Sequence, residues 1–257
     1  MNTSNTSAPI ALITGGSRGL GRNMALQSAQ RGIDVLLTYR SNRKEAEAVV
    51  AEIERSGRRA AALQLDVSVV SSFDQFVAQV REVLKIRWQR DRFEFLVNNA
   101  GMGFTAAFAE TTEAQVDELV NVHFKGPFFL TQKLLPLLAD GGRIVNISSG
   151  LARFALPGYS AYAAMKGAME VLTRYQAKEL GSRGIAVNVV APGAIETDFG
   201  GGLVRDNKQV NDSIAAQTAL GRVGRPEDIG GVVASLLSPE NRWINAQRIE
   251  ASGGMFL

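Results

Sequence analysis

The chain has no cysteine among its 257 residues. Disulfides and thiolate chemistry are therefore excluded, and the composition fits a reducing compartment such as the cytoplasm. Histidine is nearly absent as well. The single one, His123, reads as a packed helix residue rather than a ligand, and nothing in the sequence requires a metal. No uninterrupted apolar stretch approaches the roughly 20 residues of a membrane span, so no membrane contact is expected. Excess charge is small: 28 Lys and Arg against 25 Asp and Glu leave +3. That is too little to argue for nucleic acid, and no basic cluster is interleaved with exposed aromatics. The opening residues, MNTSNTSA, lack the basic and apolar regions of a signal peptide. Residues 1–8 read as a loose tail before a single domain over 9–257, since an α/β chain of this length is usually one domain.

What is present is an alternation of short apolar runs and longer helical patterns. The runs are Ile10–Ile13, Val35–Tyr39, Ala60–Leu65, Phe93–Val97, Arg143–Ile147, Ile185–Val190 and Arg248–Glu250. Helical periodicity begins near Leu20 and recurs over Glu45–Ser56, Ser71–Leu84, Ala114–Leu138, Tyr159–Leu180 and Glu227–Leu237. Continuously apolar strands alternating with helices predict an α/β fold, a parallel sheet covered on both faces. The basic stretch KIRWQRDR, Lys85–Arg92, reads as a solvated helix end.

The segment TGGSRGLG, Thr14–Gly21, follows the first apolar run directly and opens a helix. Glycines let the backbone approach a pyrophosphate, while the helix N-terminus offers free N–H groups and partial positive charge. The spacing Gly15-x3-Gly19-x-Gly21 differs from the commonest dinucleotide fingerprint. Open parallel sheets bind ligands beyond their strands' carboxyl ends. Polar motifs recur there: Asp66, then Asn98-Asn99-Ala100-Gly101, Ser148-Ser149 and Pro192-Gly193.

The second strand ends Thr38-Tyr39-Arg40-Ser41, without the acid that binds the ribose of NAD. Asp34 stands at the other end, about 17 Å away. Arg40 can pair with a 2′-phosphate, Ser41 can donate to it, and Arg18 can supply a second cation. NADP(H) is therefore the expected cofactor. Tyr162 and Lys166 are four residues apart and share a helix face. A tyrosine is a poor acid or base near neutrality, and a neighbouring ammonium favours its ionised form. Ser149, at a strand end, can hydrogen-bond a carbonyl oxygen as charge develops there. Tyr159 has Ala163 four residues on, and so lacks such a partner.

In combination these features resemble the short-chain dehydrogenase/reductase family, in its 3-oxoacyl-(acyl-carrier-protein) reductase-like branch. The matches are TGGSRGLG, Asp66-Val67, Asn98–Gly101, Asn121, Ser149, Tyr162-Ala-Ala-Met-Lys166, Pro192-Gly193 with Thr197, and GRVGRPEDIG at Gly221–Gly230. The resemblance implies one Rossmann-type domain with a seven-stranded parallel sheet, and interconversion of a carbonyl and a secondary alcohol. It makes Tyr162 the general acid, Lys166 the group that lowers the tyrosine pKa and holds the nicotinamide ribose, Ser149 the substrate-orienting hydroxyl, and Asn121 the holder of a relay water. Gly15, Ser17, Arg18, Gly19 and Leu20 would cradle the phosphates; Tyr39 stands where many relatives have an acid, beside Arg40 and Ser41. Asp66 and Val67 would meet the adenine, and Asn98, Ala100 and Gly101 would form the cofactor wall. Pro192, Gly193, Ile195 and Thr197 would meet the nicotinamide end. Ala246 and Ser252 replace residues that are commonly Gly and Asp. Met102, Gly103, Phe104, Phe154, Leu156 and a lid over 196–211 would line the pocket. The expected substrate is a 3-oxoacyl thioester or related ketone; a sugar, steroid or xenobiotic ketone, and a non-catalytic NADP-binding redox sensor, are the alternatives. The apolar arc of the Tyr162 helix outside the stripe Lys166, Glu170, Arg174, Lys178 predicts a homotetramer or homodimer.

Overall fold

The computed structural model describes residues 8–257, so the expected tail lies, apart from Ala8, outside the described residues. The seven strands are β1 (Ile10–Ile13), β2 (Asp34–Tyr39), β3 (Ala60–Gln64), β4 (Phe93–Asn98), β5 (Leu138–Ile147), β6 (Ala186–Pro192) and β7 (Arg248–Ala251). All pair parallel in the order β3-β2-β1-β4-β5-β6-β7. Successive strand residues face opposite sides. Ala11 and Ile13 thus join one apolar core and Ile10 and Leu12 the other. The chain reverses its direction of travel between β1 and β4, and the turns after these strands flank one crevice.

The helices follow from those two faces. One face is covered by α1 (Gly19–Gln30), α2 (Arg43–Arg55) and, after the last crossover, α9 (Pro226–Leu236), through Met24, Val49, Ile53 and Val233. The other is covered by α3 (Phe73–Val83), α4 (Glu113–Val120), α5 (Gly126–Leu134) and α6 (Ser160–Glu179). Phe73, Phe76, Leu130, Leu134 and Ala177 pack there. Two short helices, α7 (Leu203–Asp206) and α8 (Lys208–Ala216), lie between β6 and α9.

Three segments depart in detail from the sequence pattern. The helix expected over Ala114–Leu138 is two helices joined by a π turn at Asn121–Lys125, and Leu138 begins β5. The extra residue re-phases the chain, and Gly126 then packs so close that a Cβ would sit 2.6 Å from the Val67 carbonyl oxygen. Hydrophobic periodicity cannot reveal one inserted residue. Residues 85–92 end the α3 helix and are largely exposed, as expected, except at Trp88 and the half-buried Arg90. Trp88 is 3% exposed and donates its indole N–H to Asp34 at 2.9 Å, while Arg87 and Arg90 pair with Glu54 and Glu94. The Tyr162 helix does not present its whole charged stripe to solvent. Lys166 is buried, and Glu170 is tied to Ser148 and Arg248.

Ala246 adopts φ +60 with its N–H on the Val187 carbonyl at 2.9 Å. The left-handed conformation costs a non-glycine residue roughly 1–2 kcal/mol, and glycine's extra freedom in the unfolded chain returns about 0.5–1 kcal/mol of that. Ala246→Gly is expected to stabilise the fold by roughly 0.5–1 kcal/mol. A higher denaturation midpoint at unchanged slope checks it.

Candidate active site

The glycine turn is held from below by Thr14 and Asn99. Thr14 Oγ1 accepts from the Asn99 and Ala100 N–H groups, both at 3.0 Å. Asn99 donates its side-chain amide to the Thr14 and Gly15 carbonyls at 2.8 and 3.3 Å. On the other side Thr38 Oγ1 accepts from Gly15 N–H at 3.1 Å. Gly15 and Gly19 have φ of +66 and +54. A Cβ on Gly21 would fall 2.1 Å from the Gly15 carbonyl oxygen, whereas one on Gly19 would meet nothing nearer than Thr197 at 3.8 Å. The α1 N-terminus has no side-chain cap and no acid in its first turn. Crowded beneath, open above and without a competing carboxylate, this turn fits a pyrophosphate. Ser17, Arg18 and Leu20 stand on it, and Thr197 comes to its open side.

At the tip of β2, Tyr39 is buried and Arg40 is 68% exposed, its Nε 3.0 Å from Asp66. Ser41 follows, exposed. Asp66 also accepts from the Ser68 N–H and hydroxyl at 2.9 and 2.6 Å. Burial raises its pKa, but the Ser68 bonds and Arg40 outweigh burial and hold it below the ordinary aspartate value. The structure thus brings Arg40 and Asp66, from adjacent strands, to one mouth, with the buried Val67 next to it. Asn98 points its amide inward, to Thr131 at 3.0 Å and Asn146 at 2.8 Å. These bonds fix the end of β4, from which Ala100 and Gly101 continue. Gly193 donates to the Ala251 carbonyl at 3.1 Å after Pro192, and Ile195 pairs with Gly224.

Tyr162 and Lys166 project from α6 toward the end of β5, buried at 8% and 5% exposure. Ser148 anchors the helix by donating to the Lys166 carbonyl at 3.1 Å and Glu170 at 2.8 Å. Lys166 Nζ donates to the Ile147 carbonyl at 2.9 Å and lies 5.5 Å from the Tyr162 ring centroid. Ser149 Oγ accepts from Leu151 N–H at 3.2 Å. Burial pushes the Tyr162 phenol above its ordinary pKa; the Ser149 hydroxyl pulls it back and Tyr159 pushes it further up. Burial thus outweighs the lowering expected from Lys166, and burial likewise pushes Lys166 down to about 7. A protonated phenol is the form a proton donor needs.

Phe199, on the segment after Thr197, packs against Tyr162 with ring centroids 5.7 Å apart and planes tilted by 54°, and remains 45% exposed. A Cβ on Gly103 would lie 2.5 Å from its ring. Gly200, Gly201 and Gly202, all at positive φ, follow it, and Asn211 closes the segment by donating to Glu196 at 2.9 Å. Phe154 packs instead on Phe256, centroids 4.8 Å apart. Sequence reasoning missed the supports Asn99, Asn146 and Thr173, whose roles are tertiary. The doubled asparagine after β4 was the available signal for Asn99. Asn121 begins the π turn, half-buried. The side chain this turn brings to Tyr162 is His123, edge-to-face at 5.2 Å.

A family model described as Enoyl-(Acyl carrier protein) reductase matches residues 15–256. The chain belongs to the short-chain dehydrogenase/reductase family. It is 36% identical over 249 residues to the 3-oxoacyl-(acyl-carrier-protein) reductase FabG of Staphylococcus aureus, covering 96% of this chain and 98% of that one. A solved structure of the promiscuous reductase LugOII, described as catalysing keto-reduction at C1 during lugdunomycin biosynthesis, is 39% identical. It superposes with a TM-score of 0.91 over 98% of each chain. The angucycline C-6 ketoreductase LanV, solved with bound NADP, is 37% identical at TM-score 0.91, covering 96% of this chain and 95% of that one. The seven-stranded parallel sheet is shared with these short-chain reductases, and the chain is an oxidoreductase of that family. Among the described residues, no helix is long and apolar enough to cross a membrane.

Proposed function

We propose that the protein is an NADP(H)-dependent ketoreductase that interconverts a small-molecule ketone and a secondary alcohol, acting on a 3-oxoacyl thioester or a related ketone. The observation that carries this is the buried Tyr162–Lys166 pair beside Ser149, at the sheet edge that also holds the open glycine turn. When bound, NADPH supplies the hydride. Gly15, Ser17, Arg18, Gly19 and Leu20 hold its pyrophosphate, Arg40 and Ser41 beside Tyr39 its 2′-phosphate, and Asp66 and Val67 its adenine. Asn98, Ala100 and Gly101 back it, and Pro192, Gly193, Ile195 and Thr197 face its nicotinamide end. Ser149 donates to the carbonyl oxygen and orients it. Tyr162 gives that oxygen its proton. Lys166 holds the ribose and, once charged, stabilises the phenolate left behind. In this reading Asn121 shapes the π turn beside the relay.

A second reading within this chemistry is a planar polycyclic ketone, favoured by the half-exposed Phe199 ring beside Tyr162 and by the likeness to LugOII and LanV. The experiment is NADPH consumption against a panel of 3-oxoacyl thioesters, diketones, sugar and steroid ketones, and aromatic polycyclic ketones. Turnover on one ketone class supports the reductase; tight NADPH binding with no turnover on any supports a redox sensor instead.

We further propose a homotetramer with two-fold axes, with a homodimer as its half. The support is apolar surface on one side of the sheet: Val171 and Tyr175 on α6 and Phe128 on α5 are 45%, 64% and 36% exposed. Light scattering at micromolar protein is expected to give about four times the 27.6 kDa chain mass, and a monomer would contradict it.

A further inference from the structure

His123 is the chain's single histidine, its ring is 2% exposed, and nothing assigned so far uses it. Its Nε2 lies 2.6 Å from the Met102 carbonyl oxygen. Nε2 also lies 3.3 Å from the Met102 N–H; the much shorter contact to the carbonyl assigns the proton to Nε2 and leaves a lone pair on Nδ1. Nδ1 is buried and has no partner among the described residues, and the same holds for Asn98 Oδ1. His123, Asn98 and Lys166 all line one cavity of about 10 Å³, which Asn121 does not reach. Lys166 Nζ places one hydrogen on the Ile147 carbonyl at 2.9 Å, which leaves at least one more for another acceptor whether the amine is charged or neutral.

A single water needs about 10–15 Å³ and two to four polar partners. Two acceptors without partners and one donor with hydrogens to spare supply that number. Such a water would accept from Lys166 and donate to His123 Nδ1 and Asn98 Oδ1. The same imidazole meets the Tyr162 ring edge-to-face, with centroids 5.2 Å apart and planes at 90°, a favoured aromatic geometry.

We propose that His123 is a positioning residue for the Tyr162–Lys166 pair: its Nδ1, with Asn98 Oδ1, holds one water on the Lys166 ammonium, and its ring fixes the phenol. Burial and the nearby Lys166 push the imidazole pKa down to about 3, against a raising hydrogen bond to Met102. The ring is thus a neutral acceptor throughout the working range and carries no proton itself. The proposal rests on the reductase reading and names a group that reading leaves idle.

Two variants separate the two contributions. His123→Phe keeps a flat ring against Tyr162 and removes the acceptor. His123→Asn loses the ring but places Oδ1 on the same branch of the side chain as Nδ1. On the best ketone from the panel, His123→Phe is expected to lower kcat by about 10- to 100-fold, the scale of a misplaced catalytic group. KM and NADPH affinity should stay close to those of the unmodified enzyme. His123→Asn is expected to recover most of that loss. Full kcat in His123→Phe, or equal loss in both variants with lowered thermal midpoints, overturns the proposal. A readout independent of turnover is nitrogen NMR of the unmodified protein with labelled histidine, where one residue gives one spectrum. The expected result is a neutral ring, protonated at Nε2, that does not titrate between about pH 5 and 8. Titration in that range, or a proton on Nδ1, overturns the proposal even if no ketone is reduced. A neutral Nε2–H ring in a protein that reduces nothing would leave the histidine's geometry standing and remove the reductase reading.

Discussion

Tyr162→Phe is expected to lower ketone turnover by about 10²–10⁴-fold, the usual contribution of general acid catalysis. The substitution removes one hydroxyl and keeps the ring that packs on His123 and Phe199. Fold and pocket shape are therefore retained, while the carbonyl oxygen gains charge with no acid to neutralise it. NADPH affinity should change little, because the proposed phosphate and adenine contacts lie on the glycine turn and after β2 and β3. Lys166→Ala is expected to behave differently and to harm turnover and cofactor affinity together. Burial keeps the phenol protonated well past neutrality, which suits reduction. The reverse reaction needs the phenolate, so alcohol oxidation should rise with pH over the range in which reduction falls. Stopped rates for the variant, paired with fluorescence titration of NADPH, check the first expectation. Steady-state profiles in both directions check the last.

Arg40→Ala is expected to weaken NADPH binding by about 10- to 150-fold and to leave NADH binding nearly unchanged. The figure corresponds to roughly 1.5–3 kcal/mol for a hydrogen bond to a charged group. In the protein alone Arg40 pairs with Asp66 at 3.0 Å. At 68% side-chain exposure that ion pair is worth about 0–1 kcal/mol, so a 2′-phosphate competes for the guanidinium at small cost. Competitive titration of both nucleotides on the variant and the unmodified chain checks this. Equal weakening of both would place Arg40 outside the phosphate site, and preference for NADH by the unmodified chain would remove the cofactor assignment.

Most of the sheet was legible because its strands are buried on both faces. Runs such as Ile10–Ile13 and Val35–Tyr39 need only be apolar and bounded by turn residues to declare themselves. The start of β5 was hidden, since the register with β4 shifts between Phe93 and Phe95 and the charged and glycine residues Asp140–Gly142 read as loop. The broken helix was hidden for a related reason. A π turn at Asn121–Lys125 adds one residue without changing composition, and His123 on that turn meets the Tyr162 ring. The candidate reactive residues were legible as a pattern of spacing, and the structure does bring Ser149, Tyr162 and Lys166 together. Their supports were not. Asn99, Asn146 and Thr173 are ordinary turn, strand and helix residues until strand order places Asn146 within 2.8 Å of Asn98 and 2.9 Å of Thr173. Trp88 likewise became a core residue only because Asp34, at the start of β2, offered its indole an acceptor.

The measurement that bears most directly on the account is transfer of isotope from deuterium-labelled NADPH to a ketone turned over by the unmodified protein. The account predicts an alcohol carrying a single deuterium at the former carbonyl carbon, formed in step with NADPH loss and abolished in Tyr162→Phe at equal cofactor occupancy. An alcohol without the label, or labelled alcohol formed at full rate by Tyr162→Phe, would contradict it.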